Sequence, residues 1–132
     1  MLGGKPLQIA MRALGTTTVF DVTGDIDLAN SPEVRKALLS EIKEKKTPKV
    51  VMNMSKVRYI DSSGVASLVE GLKASRDAQT RFLLVGLSPA AREVLQLSRL
   101  LKIFEVLAEL NRQGMAILLV EQNARLALRL AL

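Results

Sequence analysis

Residues 49–64 read KVVMNMSKVRYIDSSG, and the placement of every other segment follows from this stretch. Lys49 to Met54 carries Val50, Met52 and Met54 at every second position, the alternation of a strand. Ser55 to Asp61 reads as a connection that holds Val57, Tyr59 and Ile60. From Val65 to about Ala78 the pattern is helical, with Val65, Leu68, Val69 and Leu72 on one stripe. Ser62 or Ser63 is the expected N-cap of that helix. Asp61-Ser62-Ser63-Gly64 thus marks a passage into a helix, two hydroxyls between a carboxylate and a glycine. A helix N-terminus offers unpaired N–H groups and partial positive charge, so a phosphate can be both attached and tolerated there. Nothing else in the chain has the look of chemistry.

Working outward, strands and helices alternate. Leu7 to Leu14 and Thr17 to Val22 flank Gly15 and read as a hairpin. Thr23-Gly24-Asp25-Ile26-Asp27 carries loop signals, and Asp25 and Asp27 suit a turn. Ser31-Pro32-Glu33 opens a helix with a serine cap, an early proline and a first-turn acid. Val34, Leu38 and Ile42 carry that helix to about Lys45, and Thr47-Pro48 ends it. Arg81 to Gly86 is a continuous apolar run, suited to a central strand buried on both faces. Ser88-Pro89 repeats the cap signal and starts a third helix. Between 98 and 113 the residues fit either one continuous helix or a helix interrupted by a short strand at Lys102 to Val106. Ala116 to Val120 reads as a strand, and Asn123 to Leu132 as a short helix. The alternation is that of an α/β layer structure, and the initial hairpin makes its sheet mixed.

Composition narrows the function. The 132 residues suit one domain. Aromatics are 3% with no Trp, so the core is aliphatic. With no Cys and no His, thiolate metal sites and serine–histidine or cysteine–histidine catalysis are excluded. No metal or cofactor is expected. No apolar run approaches a membrane span, and Met1 to Pro6 has no signal-peptide pattern, so a cytoplasmic protein with no direct membrane insertion is expected. The net charge of +6 is scattered. Its densest cluster, Lys43, Lys45, Lys46 and Lys49, lies at a helix C-terminus, where cations suit the macrodipole. No aromatic residues interleave with it, so nucleic acid is not an expected partner.

In this order the pieces resemble the STAS domain family, of the anti-sigma factor antagonist type. The matching pieces are Thr23-Gly24-Asp25-Ile26-Asp27, the strand at Val50 to Met54 leading to Tyr59-Ile60-Asp61-Ser62-Ser63-Gly64, the strand at Phe82 to Gly86, and Ser88 to Leu95. The resemblance implies an α/β fold: a STAS-like mixed β-sheet of four to five strands, with helices packed mainly on one side. It also implies a binding module and no enzyme activity. In such antagonists the serine after the aspartate is phosphorylated by a partner that is both kinase and anti-sigma factor; here that is Ser62, with Ser63 the lesser candidate. The unphosphorylated form binds the partner and frees the sigma factor, and phosphorylation breaks the complex. Asp25, Asp27, Asp61, Ser62, Ser63 and Gly64 would form the partner surface, Gly64 by allowing close approach. Small STAS proteins also serve as subunits of bacterial lipid-transport ABC complexes, docking on the ATPase, and this is the alternative role.

The STAS-like domain is expected over residues 1–106, with 107–132 an atypical C-terminal strand–helix extension. Within the tail, 103–125 resembles a late segment of branched-chain amino acid ABC transporter ATPases. The chain has no phosphate-binding loop of the G-x-x-x-x-G-K-[ST] kind, so that segment can only pack or bind. Dimerisation through 107–132 is the expectation it raises.

Overall fold

The computed structural model describes residues 6–97 and 116–118. The expectations for residues 98–115 and 119–132, including the helix-or-strand alternative, the C-terminal helix and most of the dimerisation segment, lie outside the described residues. The chain runs β1 (Gln8–Leu14), β2 (Thr17–Ile26), α1 (Ser31–Leu39), a π-helical turn (Ser40–Glu44), β3 (Lys49–Ile60), α2 (Ser62–Ala78), β4 (Arg81–Val85), α3 (Pro89–Leu97) and β5 (Ala116–Leu118). The sheet order is β1-β2-β3-β4-β5. β1 pairs antiparallel with β2 across the two-residue turn Gly15-Thr16, and the other neighbours are parallel. This is the expected mixed sheet.

Period-two alternation sorts the strands into two faces. Phe20 and Val22 of β2, Val50, Met52 and Met54 of β3, and Phe82 and Leu84 of β4 share one aliphatic cluster with the helices. The helices contribute Val34 and Leu38 from α1, Leu68 and Leu72 from α2, and Ala91 and Leu95 from α3. Val19, Val51 and Leu83 stand in register on the opposite face and are also buried. Serine–proline signals do not act alike at the two helices that carry them. Ser88 caps α3 as expected, its Oγ accepting from the Ala91 N–H at 3.1 Å. At α1 the N-cap is Asn30, not Ser31, because the chain already turns at Asp27, whose carbonyl accepts from the Ser31 N–H at 2.8 Å.

Two spans differ from the sequence reading. β2 runs on through Thr23 to Ile26, where a loop is expected, and β3 runs to Ile60, through the expected connection. The reason is a pair of irregularities in the β2–β3 pairing. Asp21 pairs with Asn53 but Thr23 with Lys56; Gly24 pairs with Val57 but Ile26 with Ile60. At each step β3 spends one residue more than β2, as in a β-bulge. Burial along this part of β3 therefore runs in threes: Met54, Val57 and Ile60 are buried, while Ser55, Lys56, Arg58 and Tyr59 are exposed. A period of three hides a strand from a test for alternation. Gly24 sits at φ +106 between the two steps, a conformation that side chains rarely adopt.

α1 is also shorter than its apolar stripe suggests. It passes at Ser40 into the π-helical turn, closed by Lys45 N–H to Ser40 O at 3.1 Å. The wider turn keeps Ile42 in the core and buries Glu41 beside it. Glu41 Oε2 accepts from the hydroxyls of Thr18 at 2.6 Å and Thr47 at 2.5 Å. Lys45 Nζ stands 3.4 Å from Oε1. Burial acts to raise the Glu41 pKa, but the two hydroxyls and the Lys45 charge outweigh it and hold the carboxyl below its ordinary value. The depressed value fixes the sign of the pH effect. The contribution is complete above the ordinary pKa of 4.5 and is lost as pH falls through the lower folded value. Glu41→Gln is expected to lower unfolding stability by about 1–3 kcal/mol at neutral pH. It should also flatten the acid limb of a plot of urea-unfolding free energy against pH; an unchanged acid limb would contradict this assignment.

Candidate functional site

Asp61 is the residue around which the site is built. It follows Ile60 in extended conformation, and its N–H donates to the Ile26 carbonyl at 3.1 Å. Its own carbonyl accepts from Val65 N–H at 3.0 Å, the first helical bond of α2. The N-cap of α2 is Asp61, not Ser62 or Ser63. The carboxylate Oδ1 accepts from the Gly64 N–H at 3.0 Å, the third helical residue, which a serine one or two places further on has no geometry to reach. Oδ2 accepts from the Leu28 N–H at 3.0 Å. One carboxylate thus caps α2 and holds the loop between β2 and α1.

That loop is braced on its other side. Asp27 N–H donates to Asn30 Oδ1 at 2.8 Å, and Asn30 N–H donates to Asp27 Oδ1 at 3.1 Å. Asn30 Nδ2 donates to the Asp25 carbonyl at 2.7 Å. Asp27 is therefore a turn former. Asp25 is half-buried, and its Oδ1 has no hydrogen-bond partner among the described residues. Leu28 and Asn30 are the residues that sequence reasoning missed. Asn30 was open to discovery, since asparagine is as good an N-cap as the serine that follows it. Leu28 enters through its backbone amide, which no side-chain pattern reports.

Ser62 stands at the first helical position, exposed, with no hydrogen-bond partner for its hydroxyl among the described residues. Ser63 is half-buried, and its carbonyl accepts from Ser67 Oγ at 3.2 Å. The same Ser67 Oγ lies 3.2 Å from the Ser31 carbonyl, tying α2 to the start of α1. Gly64 is buried, and the close approach it permits is internal. A Cβ there would lie 2.5 Å from Ile60 Cγ1 and 2.7 Å from Ile26 Cγ2. The structure therefore brings Asp25, Asp27, Asp61, Ser62, Ser63 and Gly64 to one end of the sheet, with Asp61 and Gly64 holding it and Ser62 facing outward.

The STAS domain family model matches residues 8–113. The chain belongs to the STAS domain family. The match covers every element from β1 to α3, and it continues past residue 106, where the sequence reading ended the domain. An anti-sigma-B factor antagonist of Listeria monocytogenes is 30% identical to this STAS protein over 86 residues, 64% of this chain and 74% of that one. Among solved structures, an anti-sigma factor antagonist from Mycobacterium paratuberculosis superposes with a TM-score of 0.72 at 19% identity, covering 96% of this chain and 94% of its own. The Bacillus cell fate determinant SpoIIAA in its phosphorylated form superposes with a TM-score of 0.64 at 18% identity, covering 95% of this chain and 99% of its own. At these identities the structural likeness speaks for the fold. These relatives lend nothing to the resemblance of 103–125 to a transporter ATPase. No helix among the described residues is long and apolar enough to cross a membrane.

Two outcomes follow for the frame of the site. Asp61→Ala is expected to cost about 0.5–2 kcal/mol, the usual loss for an N-cap. It should also speed hydrogen exchange at the Leu28 amide; unchanged exchange there would mean that Oδ2 does not hold the loop. Gly64→Ala is expected to destabilise by about 1–3 kcal/mol despite alanine's better helix propensity, because Ile26 Cγ2 is fixed to a β-branched carbon and cannot swing away. Gly71→Ala in the same helix crowds the flexible end of Leu38, at 2.9 Å, and meets the Phe82 ring at an ordinary 3.5 Å, so it should cost less in the same urea titration.

Proposed function

We propose that this STAS domain is a phosphorylation-controlled anti-sigma factor antagonist. Its partner would be a serine kinase that also acts as the anti-sigma factor, and Ser62 would be the acceptor. The observation that carries this reading is the outward-facing Ser62 hydroxyl at the first position of α2, beside an Asp61 already committed to capping. The names of the relatives point the same way.

The physical argument concerns charge at a fixed frame. A phosphate on Ser62 adds roughly −1.5 to −2 charge at pH 7. The N-terminus of α2 favours a negative charge, so the domain need not unfold to accept it. The same charge, placed beside the Asp61 carboxylate inside a partner interface, is repelled and expensive to desolvate. Affinity changes while the fold does not. Ser63 is the weaker acceptor because it is half-buried where Ser62 is exposed.

Co-purification with wild type, Ser62→Ala and Ser62→Asp tests this. The Ala form is expected to retain an anti-sigma kinase that the Asp form loses, with a difference in affinity of at least tenfold, or about 1.4 kcal/mol. Equal recovery of that kinase by both forms would remove Ser62 from the switch.

A further inference from the structure

The sheet ends on β1, and no strand among the described residues pairs with its outer edge. A free edge presents a row of unpaired backbone N–H and C=O groups that another strand can complete, and natural edges are usually guarded by lysine, proline, a bulge or shortness. β1 has none of these guards. Gln8-Ile9-Ala10-Met11-Arg12-Ala13-Leu14 holds no lysine or proline and pairs with β2 in unbroken register from Gln8↔Thr23 to Leu14↔Thr17. Its single charge is already satisfied inside the molecule: Arg12 donates to Asp21 from Nε at 2.5 Å and from Nη2 at 3.1 Å. In a chain of net charge +6, this edge carries no uncompensated cation. Met11 is 51% exposed, and Ala10 and Ala13 are exposed with it.

We propose that β1 pairs antiparallel with β1 of a second copy of this chain, about a twofold axis at Met11, joining two sheets into one. Met11 is the middle residue of the strand, so the axis sets Ala10 opposite Arg12, Ile9 opposite Ala13 and Gln8 opposite Leu14. No like charges face each other in this register, and Ala10 leaves room for an Arg12 that stays on Asp21. On the face shared with the helices, Ile9, Met11 and Ala13 of each copy form one apolar strip. Ile9 already packs against the core cluster, so the pairing extends that core across the axis. A twofold contact of this kind uses the same patch on both copies and closes on itself.

The absence of cysteine gives a direct test in the full chain. Directly opposed antiparallel residues have Cα atoms about 4.5 or 5.5 Å apart, inside the roughly 4.4–6.8 Å range of disulfides. Under mild oxidation Met11→Cys is expected to become a covalent dimer, while Asp77→Cys, exposed at the far end of α2, is not. Light scattering should give the mass of two chains for wild type. Met11→Lys, which sets two cations on the axis, should give the mass of one chain with an unchanged circular dichroism spectrum. A wild-type mass of one chain, or no more cross-linking from Met11→Cys than from Asp77→Cys, would overturn the proposal.

Discussion

The parallel pairing of β2 with β3, and the two extra residues that β3 spends in it, set the geometry on which everything else rests. β3 uses 12 residues where β2 uses 10, yet both end at the pair Ile26 and Ile60. These side chains close the core beneath Gly64, and the Ile26 carbonyl receives the Asp61 amide. Because the strands finish level, the loop after β2 and the helix after β3 begin side by side. A single carboxylate can then serve both.

This arrangement divides the work between neighbouring residues. Asp61 spends both oxygens on backbone amides, one in α2 and one at Leu28. Gly64 spends its missing side chain on two isoleucines. Ser67 bridges the carbonyls of Ser31 and Ser63 from below. The exposed hydroxyl of Ser62 has no hydrogen-bond partner among the described residues. A charged group on that oxygen would lie at the surface and remove none of the bonds that hold the frame.

Much of this was legible in the residues, and the failures have physical causes. The β1–β2 hairpin, the doubly buried β4 and the Ser88 cap follow from alternation, apolar continuity and cap chemistry, all local properties. The caps of α1 and α2 did not follow, because in each case two or three adjacent residues can all cap. The choice is made by how the chain enters each helix: Asn30 is already locked in a turn with Asp27, and Asp61 is held by long-range bonds to the Ile26 carbonyl and the Leu28 amide. The end of β3 reads as a connection because burial there repeats every third residue. The end of β2 reads as a loop because Thr-Gly-Asp is ordinary turn chemistry, and only its pairing with β3 makes it a strand. The π-helical turn keeps Ile42 on the apolar stripe, so nothing in the hydrophobic pattern marks it.

The doubled exposure along β3 has a spectroscopic consequence. Tyr59 is the chain's one tyrosine, there is no tryptophan, and half of its surface meets solvent. It lies two residues before Asp61, on the strand that delivers the site. Beyond the shorter-wavelength band of the three phenylalanines, its near-ultraviolet absorbance and emission arise from a single ring. The bulge that turned this ring outward has thus given the protein an intrinsic optical label beside its most interesting surface.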